Sequence, residues 1–329
     1  MSIFVTRRIP ESGFAVLRAA GVPFEVGQDD DERPLDPALL RAGARRHPVL
    51  LCQLTDRIDR EILGGPPRLR GVSQMAVGTD NLDLVAAAEL GVPVANTPGV
   101  LTDATADLAF ALLLASARRV VEGHRCVTGG RFFAWGPQLL LGSGVGPAPD
   151  GTRKTLGIVG FGRIGRAMAR RAAGFDLRVL VWSRRRESVA ASPDVHWCEL
   201  DELFAQSDYV SLHVPLSPST RHLVDARRLA LMKPTAHLIN TARGPVVDEA
   251  ALVDALRARR LAGAGLDVCE REPIVHEGLL GLDNVVLLPH VGSGTHEVRT
   301  KMAVMAAESA LAFLRGERAE WELERSGRD

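Results

Sequence analysis

Arg243, Glu272 and His290 each follow a short apolar segment. Their side chains could together bind a carboxylate and transfer a proton. A guanidinium binds a carboxylate through two parallel hydrogen bonds. A carboxylate beside an imidazole stabilises its protonated form, which can donate a proton to a carbonyl oxygen. Glu270 and Asp267 stand in the same segment as Glu272, and spacing alone leaves all three as candidate partners of His290. Together these groups predict chemistry on a 2-oxo or 2-hydroxy acid.

A glycine-rich turn that could hold a dinucleotide precedes these segments. Gly160, Gly162 and Gly165 form a G-x-G-x-x-G pattern between a predicted strand and a predicted helix. The first glycine permits a tight turn, the second lets the backbone approach a pyrophosphate, and the third lets the helix meet the strand. Arg163 and Ile164 begin the helix, whose free N–H groups and dipole favour phosphates. The turn and the three side chains together predict hydride transfer.

The end of the next predicted strand indicates which dinucleotide is bound. An acidic residue at that position would accept from the ribose hydroxyls, but this chain has Ser183 followed by Arg184, Arg185 and Arg186. A charge-assisted hydrogen bond contributes roughly 1.5–3 kcal/mol. One or two such bonds to a 2′-phosphate favour NADP over NAD by about tenfold to a thousandfold. The sequence therefore predicts NADP(H), with NAD(H) possible as a second cofactor.

The overall composition excludes several other classes of protein. The 40 basic and 40 acidic residues give a net charge of zero, which argues against nucleic acid or an anionic membrane as the main partner. No apolar run reaches the roughly 20 residues that span a bilayer. The four cysteines are scattered without a C-x-x-C pair, which indicates free thiols and no metal site. With no signal-peptide order at the N-terminus, these features predict a cytoplasmic protein.

Predicted strands and helices alternate along most of the chain, which indicates an α/β protein with two doubly wound parallel sheets. A strand is predicted to end at residues 74–78 and a helix to follow at residues 81–90. A helix is predicted at residues 163–173 after the glycine-rich turn, and a strand at residues 178–182. A nearly all-apolar helix is predicted from Ala104 to Val121, and residues 129–152 are predicted to be a loop. At 329 residues the chain is long enough for two domains.

Many short stretches then match one known family in order. They are residues 77–83, 96–100, 160–165, 208–216, 232–234, 240–244, 265–268, 272–273 and 289–293. Over nearly its whole length the chain resembles the D-isomer-specific 2-hydroxyacid dehydrogenases. That resemblance implies a Rossmann-like NAD(P)-binding domain, residues 100–290, inserted into a flavodoxin-like substrate domain, residues 1–99 and 291–329. It also implies a homodimer.

The resemblance also assigns roles to individual residues. Arg243, Glu272 and His290 match the family's catalytic residues, so the carboxylate beside the histidine is expected to be Glu272. Val77 and Gly78 are expected to offer backbone N–H groups to the substrate carboxylate. The cofactor is expected to be lined by further positions that the family uses in this way: Pro215, Thr241, Ala242, Asp267, Gly292 and, in addition, Thr105.

Residues 51–59 and the Ser-Arg pair at 183–184 resemble the glyoxylate/hydroxypyruvate reductase branch. Leu54 would line the substrate pocket, and Trp135 resembles a tryptophan that reaches the neighbouring subunit's active site. Residues 131–132 and 142–153 depart from that branch. A 2-ketogluconate reductase is the next hypothesis, and oxidation of phosphite or formate is a third. A dinucleotide-sensing, co-repressor-like protein with little turnover is the alternative of another class.

Overall fold

The computed structural model describes residues 1–29, 33–189 and 195–324. The chain forms two compact units. The first unit combines Met1–Leu101 with Ser293–Asp329, and the second is Thr102–Gly292.

The secondary structure of the described residues is numbered here in chain order. The strands are β1 Ile3–Val5, β2 Phe24–Val26, β3 Val49–Cys52, β4 Gly71–Gln74, β5 Val94–Ala95, β6 Thr155–Val159, β7 Arg178–Trp182, β8 Val195–Trp197, β9 Tyr209–Leu212, β10 His237–Asn240, β11 Gly263–Leu266 and β12 Val285–Leu287. The α-helices are α1 Glu11–Ala19, α2 Pro37–Arg46, α3 Arg60–Gly64, α4 Leu84–Leu90, α5 Thr102–Ala117, α6 Val120–Thr128, α7 Arg163–Ala173, α8 Leu200–Gln206, α9 Ala226–Leu231, α10 Glu249–Arg257 and α11 His296–Arg315.

In the first unit, the described residues form a parallel sheet in the order β2-β1-β3-β4-β5. This is the strand order of flavodoxin-like folds, in which ligands bind beyond the carboxyl ends of the strands. Strand β3 is buried on both faces, as parallel strands covered by helices are. Helix α11 packs on β3 and β4, and Gly71 is needed there because any Cβ would meet the Phe313 ring at 2.4 Å.

Aspartates set the starts of three helices in this unit. The side chains of Asp36, Asp59 and Asp83 accept from backbone N–H groups in the first turns of α2, α3 and α4. The apolar pattern predicted that the helix after β4 begins at Asn81. It begins at Leu84 instead because Asp83 caps it. The predicted strand at residues 74–78 was also displaced, since β4 ends at Gln74.

In the second unit, the described strands are parallel in the order β12-β11-β10-β9-β6-β7-β8. The order reverses between β6 and β9. In doubly wound sheets the ligand binds at this reversal, outside the carboxyl ends of the strands. The chain thus has the predicted architecture, two parallel α/β sheets of which the second is Rossmann-type.

The long apolar helix is shorter than predicted. Helix α5 ends at Ala117, and α6 starts at Val120 after Arg119 adopts a left-handed conformation with φ 53°. The Arg119 guanidinium pairs with Glu122 and also donates to the Leu141 carbonyl, which stabilises the break. Within the second unit, α5 packs against α7 and against the strands from β10 to β12.

Residues 129–152 contain neither helix nor strand, as predicted. The segment is nevertheless tied to the second sheet, because the Tyr209 hydroxyl donates to the Gly144 carbonyl at 2.8 Å and Val145 is buried. Among the described residues, no helix is both long and apolar enough to cross a membrane.

Candidate active site

The three candidate catalytic side chains follow three neighbouring strands. Asn240 pairs with Leu266, and Leu266 pairs with Leu287, so β10, β11 and β12 end at the same edge of the sheet. Arg243, Glu272 and His290 come three, six and three residues after those strand ends. The parallel register therefore places all three segments at the carboxyl edge, where α/β sheets bind ligands.

The imidazole of His290 contacts a single carboxylate among the three candidates. His290 Nδ1 lies 2.8 Å from Glu272 Oε2, and the other oxygen of Glu272 accepts the Cys269 N–H at 3.1 Å. Glu270 instead accepts from His222, at 2.7 Å. The bond between His290 and Glu272 uses Nδ1 of the imidazole, so Nε2 is the ring nitrogen left to contact a substrate.

The loop that carries His290 is held by Asp267. His290 has a left-handed backbone with φ 57°, and its N–H donates to the Asp267 carbonyl at 2.7 Å. The Asp267 carboxylate accepts the next two N–H groups, from Val291 at 2.7 Å and Gly292 at 2.8 Å. Burial raises the pKa of Asp267, while those two bonds and His290 act in the opposite direction. The Thr105 hydroxyl donates to the Gly292 carbonyl at 3.1 Å and so fixes the end of the loop to α5.

Sequence reasoning gave Asp267 and Gly292 a role at the cofactor and missed this one. The bonds join positions 24 and 25 residues apart, which no local pattern in the sequence can reveal. Their role in cofactor binding stays a prediction.

Arg243 follows β10 in a segment held by its own strand. Asn240 accepts the Ala242 N–H and donates to the Arg243 carbonyl, both at 3.0 Å. Arg243 Nη1 donates to the Ala242 carbonyl at 2.8 Å. Gly244 is needed next because a Cβ there would meet the Cys269 carbonyl oxygen at 1.9 Å. The turn after Arg243 therefore contacts the backbone of the segment that carries Glu272.

The glycine-rich turn fits a dinucleotide. Gly160 has φ 97°, and a Cβ there would meet the His213 carbonyl oxygen at 2.6 Å, whereas a Cβ on Gly165 would meet the Gly160 oxygen at 2.1 Å. Gly162 caps α7 and has nothing within 4 Å of where its Cβ would be, which leaves room for a phosphate. The Thr241 hydroxyl is buried and has no partner among the described residues, so it can bond a bound cofactor.

The three arginines after β7 are exposed, and one of them stacks on a tryptophan ring. Ser183 is half-buried, and its carbonyl accepts from Trp197 Nε1 at 3.3 Å. Arg186 stacks over the Trp197 ring at 4.3 Å. Arg184 and Arg185 are exposed at the end of the strand next to the glycine-rich turn. No carboxylate stands between Ser183 and Arg186.

The remaining predicted contacts lie elsewhere. Leu54, Val77 and Gly78 are half-buried in the first unit, beyond the carboxyl ends of β3 and β4. The carbonyls of Val77 and Gly78 accept from the side chains of Asn96 and Gln74, which fixes the loop that carries their N–H groups. In the second unit, Pro215 and Trp135 are exposed, and the Trp135 side chain reaches 81% exposure.

A cavity of about 410 Å³ lies at the opposite edge of the second sheet, where the strands begin. Its lining includes His237, Asn284, Arg119 and Glu122 but none of the candidate catalytic residues. Because ligands of open α/β sheets bind at the carboxyl edge, we place the active site there and not in this cavity. Among the described residues, no cluster of side chains could hold a metal ion.

Comparison with known proteins finds relatives along nearly the whole chain. Residues 110–292 match the family model described as D-isomer specific 2-hydroxyacid dehydrogenase, NAD binding domain. The glyoxylate reductase of Pyrococcus horikoshii is 48% identical over 320 residues, covering 96% of this chain and 93% of that protein. The glyoxylate reductase of Thermococcus litoralis is 45% identical, covering 96% and 94%.

Solved structures give the same result. A crystal structure of a protein from Thermus thermophilus matches with a TM-score of 0.89 and 42% identity, covering 98% of this chain and 100% of that one. The NADPH-dependent glyoxylate/hydroxypyruvate reductase of Sinorhizobium meliloti, in complex with NADP and malonate, matches with a TM-score of 0.82 and 31% identity, covering 98% and 97%.

The Rossmann-type sheet, its glycine-rich turn and these matches define an NAD(P)-dependent oxidoreductase. More specifically, the chain belongs to the D-isomer-specific 2-hydroxyacid dehydrogenase family, in its glyoxylate reductase branch. The reaction that these relatives support is the reduction of a 2-oxo acid.

Proposed function

We propose that this enzyme reduces glyoxylate to glycolate and hydroxypyruvate to the D-2-hydroxy acid, uses NADPH in preference to NADH, and protonates the product oxygen from His290. The observation that carries the proposal is the bond from His290 Nδ1 to Glu272 Oε2 at 2.8 Å. It fixes the direction of the ring and leaves Nε2 to donate a proton to the developing alkoxide. When bound, the reduced nicotinamide supplies a hydride to the 2-oxo carbon.

Arg243 is the proposed anchor for the substrate. A guanidinium can bind the carboxylate and also polarise the neighbouring carbonyl, which orients the 2-oxo carbon and stabilises negative charge on its oxygen. The N–H groups of Val77 and Gly78 are proposed to hold the same carboxylate. Leu54 is proposed to line the pocket beside the substrate's variable group.

Support for NADPH comes from the end of β7. Ser183, Arg184 and Arg185 offer a hydroxyl and two cations where a carboxylate would repel a 2′-phosphate. The S. meliloti neighbour is named as NADPH-dependent and was solved with NADP. That neighbour also supports hydroxypyruvate as a second substrate, and the archaeal relatives support glyoxylate.

We further propose that the enzyme is a homodimer assembled through the second unit. Large apolar side chains there are strongly exposed: Phe133 91%, Trp135 81%, Val127 61% and Leu141 61%. Exposed apolar surface of this kind marks an interaction site, and a second copy of the chain is the commonest partner of a soluble protein. Light scattering after gel filtration should give about twice the mass of the chain, and Phe133→Ser with Trp135→Ser should give the monomer mass. A wild-type monomer would reject the dimer.

Initial rates test the proposed reaction. NADPH and NADH are each combined with glyoxylate, hydroxypyruvate, 2-ketogluconate and pyruvate. We expect the highest kcat/KM with NADPH and glyoxylate or hydroxypyruvate, and the D-isomer as the product of hydroxypyruvate. A preference for 2-ketogluconate would reassign the substrate, and equal efficiency with both dinucleotides would reject the cofactor preference. Little turnover with every pair would reject the enzymatic proposal.

A further inference from the structure

Two glutamates behind the candidate catalytic residues bond each other's backbone. Glu249 is 5% exposed and is the first residue of α10. Its Oε1 accepts the Glu270 N–H at 2.7 Å, and Glu270 Oε2 accepts the Glu249 N–H at 3.2 Å. The two residues are 21 positions apart, so the pair fastens the start of a helix to the segment after β11.

The pair also reaches the turn that follows Arg243. The other oxygen of Glu270 lies 2.7 Å from His222 Nε2, and the His222 N–H donates to the Pro245 carbonyl at 2.8 Å. Gly244 packs on the backbone at Cys269. One network therefore joins the Arg243 turn, the start of α10 and the segment that carries Glu272.

The position of Glu270 explains what this network can control. Glu272 is two residues further on, and its Oε1 accepts the Cys269 N–H. The position of the Glu272 carboxylate therefore depends on the backbone of residues 269–272, which Glu249 holds through the Glu270 N–H. Arg243 is six residues before Glu249. A shift of the Glu270 backbone would therefore move the carboxylate that orients His290 relative to the guanidinium that anchors the substrate.

A carboxylate is an unusual side chain for this purpose. Burial raises the pKa of Glu249, the bond from the Glu270 N–H lowers it, and the negative charges of Glu270 and Glu272 raise it. Burying an acid beside two others is unfavourable, and an apolar side chain would fill the space at lower cost. What only an acceptor can provide is a bond to the Glu270 N–H, which otherwise has no partner in the described network.

We propose that Glu249 and Glu270 are positioning residues that set the spacing between the Arg243 anchor and the His290–Glu272 pair. Neither residue needs to touch the substrate. The proposal rests on the proposed function, because the spacing matters only if those three side chains act on one substrate.

Three variants separate positioning from helix stability. Glu249→Ala removes the acceptor for the Glu270 N–H, and Glu249→Gln keeps an acceptor oxygen. Asp248→Ala is the matched control: it removes the cap bond that the Ala251 N–H makes to Asp248 at 3.0 Å, at the same end of α10, and leaves Glu270 untouched. Kinetics, NADPH affinity, thermal midpoint and hydrogen exchange at residues 269–272 are measured for each.

Glu249→Ala is expected to lower kcat by about tenfold to a hundredfold, because a small misplacement of reacting groups has effects of this size. Its NADPH affinity should not change, and exchange of the Glu270 amide should speed up. Glu249→Gln should restore most of the activity and the amide protection, and Asp248→Ala should lower the thermal midpoint without lowering kcat. Should Glu249→Ala fail to fold, Glu270→Ala compared with Glu270→Gln gives the same contrast.

Equal losses of kcat in Glu249→Ala and Asp248→Ala would overturn the proposal, as would an unchanged kcat in Glu249→Ala. A wild-type protein without turnover would instead reject the proposed function. In that case the exchange of the Glu270 amide still reports whether Glu249 fixes the turn, so the two failures remain distinguishable.

Discussion

At the scale of single residues, one nitrogen defines the proposed chemistry. His290 takes a left-handed backbone, which costs most residues about 1 kcal/mol or more. Three bonds to Asp267, from consecutive N–H groups, compensate for it. The result is a ring whose Nδ1 faces Glu272, so the direction of Nε2 is also set.

The first prediction concerns this pair. His290→Ala should lower kcat by about a hundredfold to ten-thousandfold, the usual contribution of a positioned general acid, while NADPH affinity stays nearly constant. Glu272→Gln should cause a smaller loss, because an amide oxygen can still accept from the ring but carries no negative charge. Steady-state rates and a fluorescence titration with NADPH measure both effects. His124→Ala, an exposed histidine on α6, is the control, and a His290→Ala enzyme as fast as this control would refute the assignment.

Arg243 is predicted to act through its planar geometry and not only its charge. Arg243→Lys keeps the charge but cannot form two parallel bonds to a carboxylate, so kcat/KM for the 2-oxo acid should fall by about a hundredfold. The KM for NADPH should change little. Arg257→Lys at the end of α10 is the matched control. Equal efficiency of Arg243→Lys and wild type would show that the guanidinium does not clamp the substrate.

The residue types of the site are largely visible in the sequence, but their support is not. Arg243 and His290 can be located because each follows an apolar strand by three residues. The choice among Glu272, Glu270 and Asp267 could not be made from spacing, since it depends on how the segment after β11 turns. The bonds of Glu270 to Glu249 and of Asp267 to Val291 cross 21 and 24 positions, so only the folded chain reveals them.

At the scale of elements, prediction succeeded where the local signal and the packing agree. Helix α7 and strand β7 have the predicted bounds, because the helix begins at a glycine turn and four consecutive apolar residues follow Arg178 in the strand. The break at Arg119 was missed because apolar residues resume directly after it, at Val120 and Val121. Its cause is tertiary: Arg119 bonds the Leu141 carbonyl, 22 residues away.

The turn after β7 carries the prediction on cofactor choice. Arg184→Ala with Arg185→Ala should reduce the ratio of kcat/KM for NADPH over that for NADH by about tenfold to a thousandfold, through loss of one or two charge-assisted bonds. Arg178→Ala is a matched control, because it removes a cation from the other end of the same strand. The ratio is measured with glyoxylate held at saturation. An unchanged ratio in the double variant would mean that these cations lie in solvent.

At the scale of the whole molecule, the two units repeat one principle. Each is a parallel sheet with its own core, and in each the candidate ligand contacts follow the carboxyl ends of the strands. The opposite edge of the second sheet has a different character: polar groups are buried there without partners among the described residues, namely His237 Nε2 and Asn284 Oδ1. The dimer and the cytoplasmic location stay predictions.

Buried His237 should make the folded protein less stable at acidic pH. It is 4% exposed, stacks on Tyr209 and bonds Ser116 at 2.8 Å, and burial lowers its pKa from 6.5 to about 4. Between pH 6.5 and about pH 4, His237 is protonated in the unfolded chain but neutral in the folded chain. The free energy of unfolding therefore falls as the pH drops from 6.5 towards 4. At pH 5 the loss is about 2 kcal/mol.

His237→Gln cannot titrate but can still bond Ser116, so it tests this linkage directly. Urea unfolding at pH 7.5 and pH 5.0 should show that wild type loses about 2 kcal/mol more than the variant over this interval. His196→Gln, which removes an exposed histidine from β8, should behave as wild type. If His237→Gln and wild type lose the same free energy, the imidazole is charged in the folded protein, and the cavity beside it must hold water or a partner that stabilises that charge.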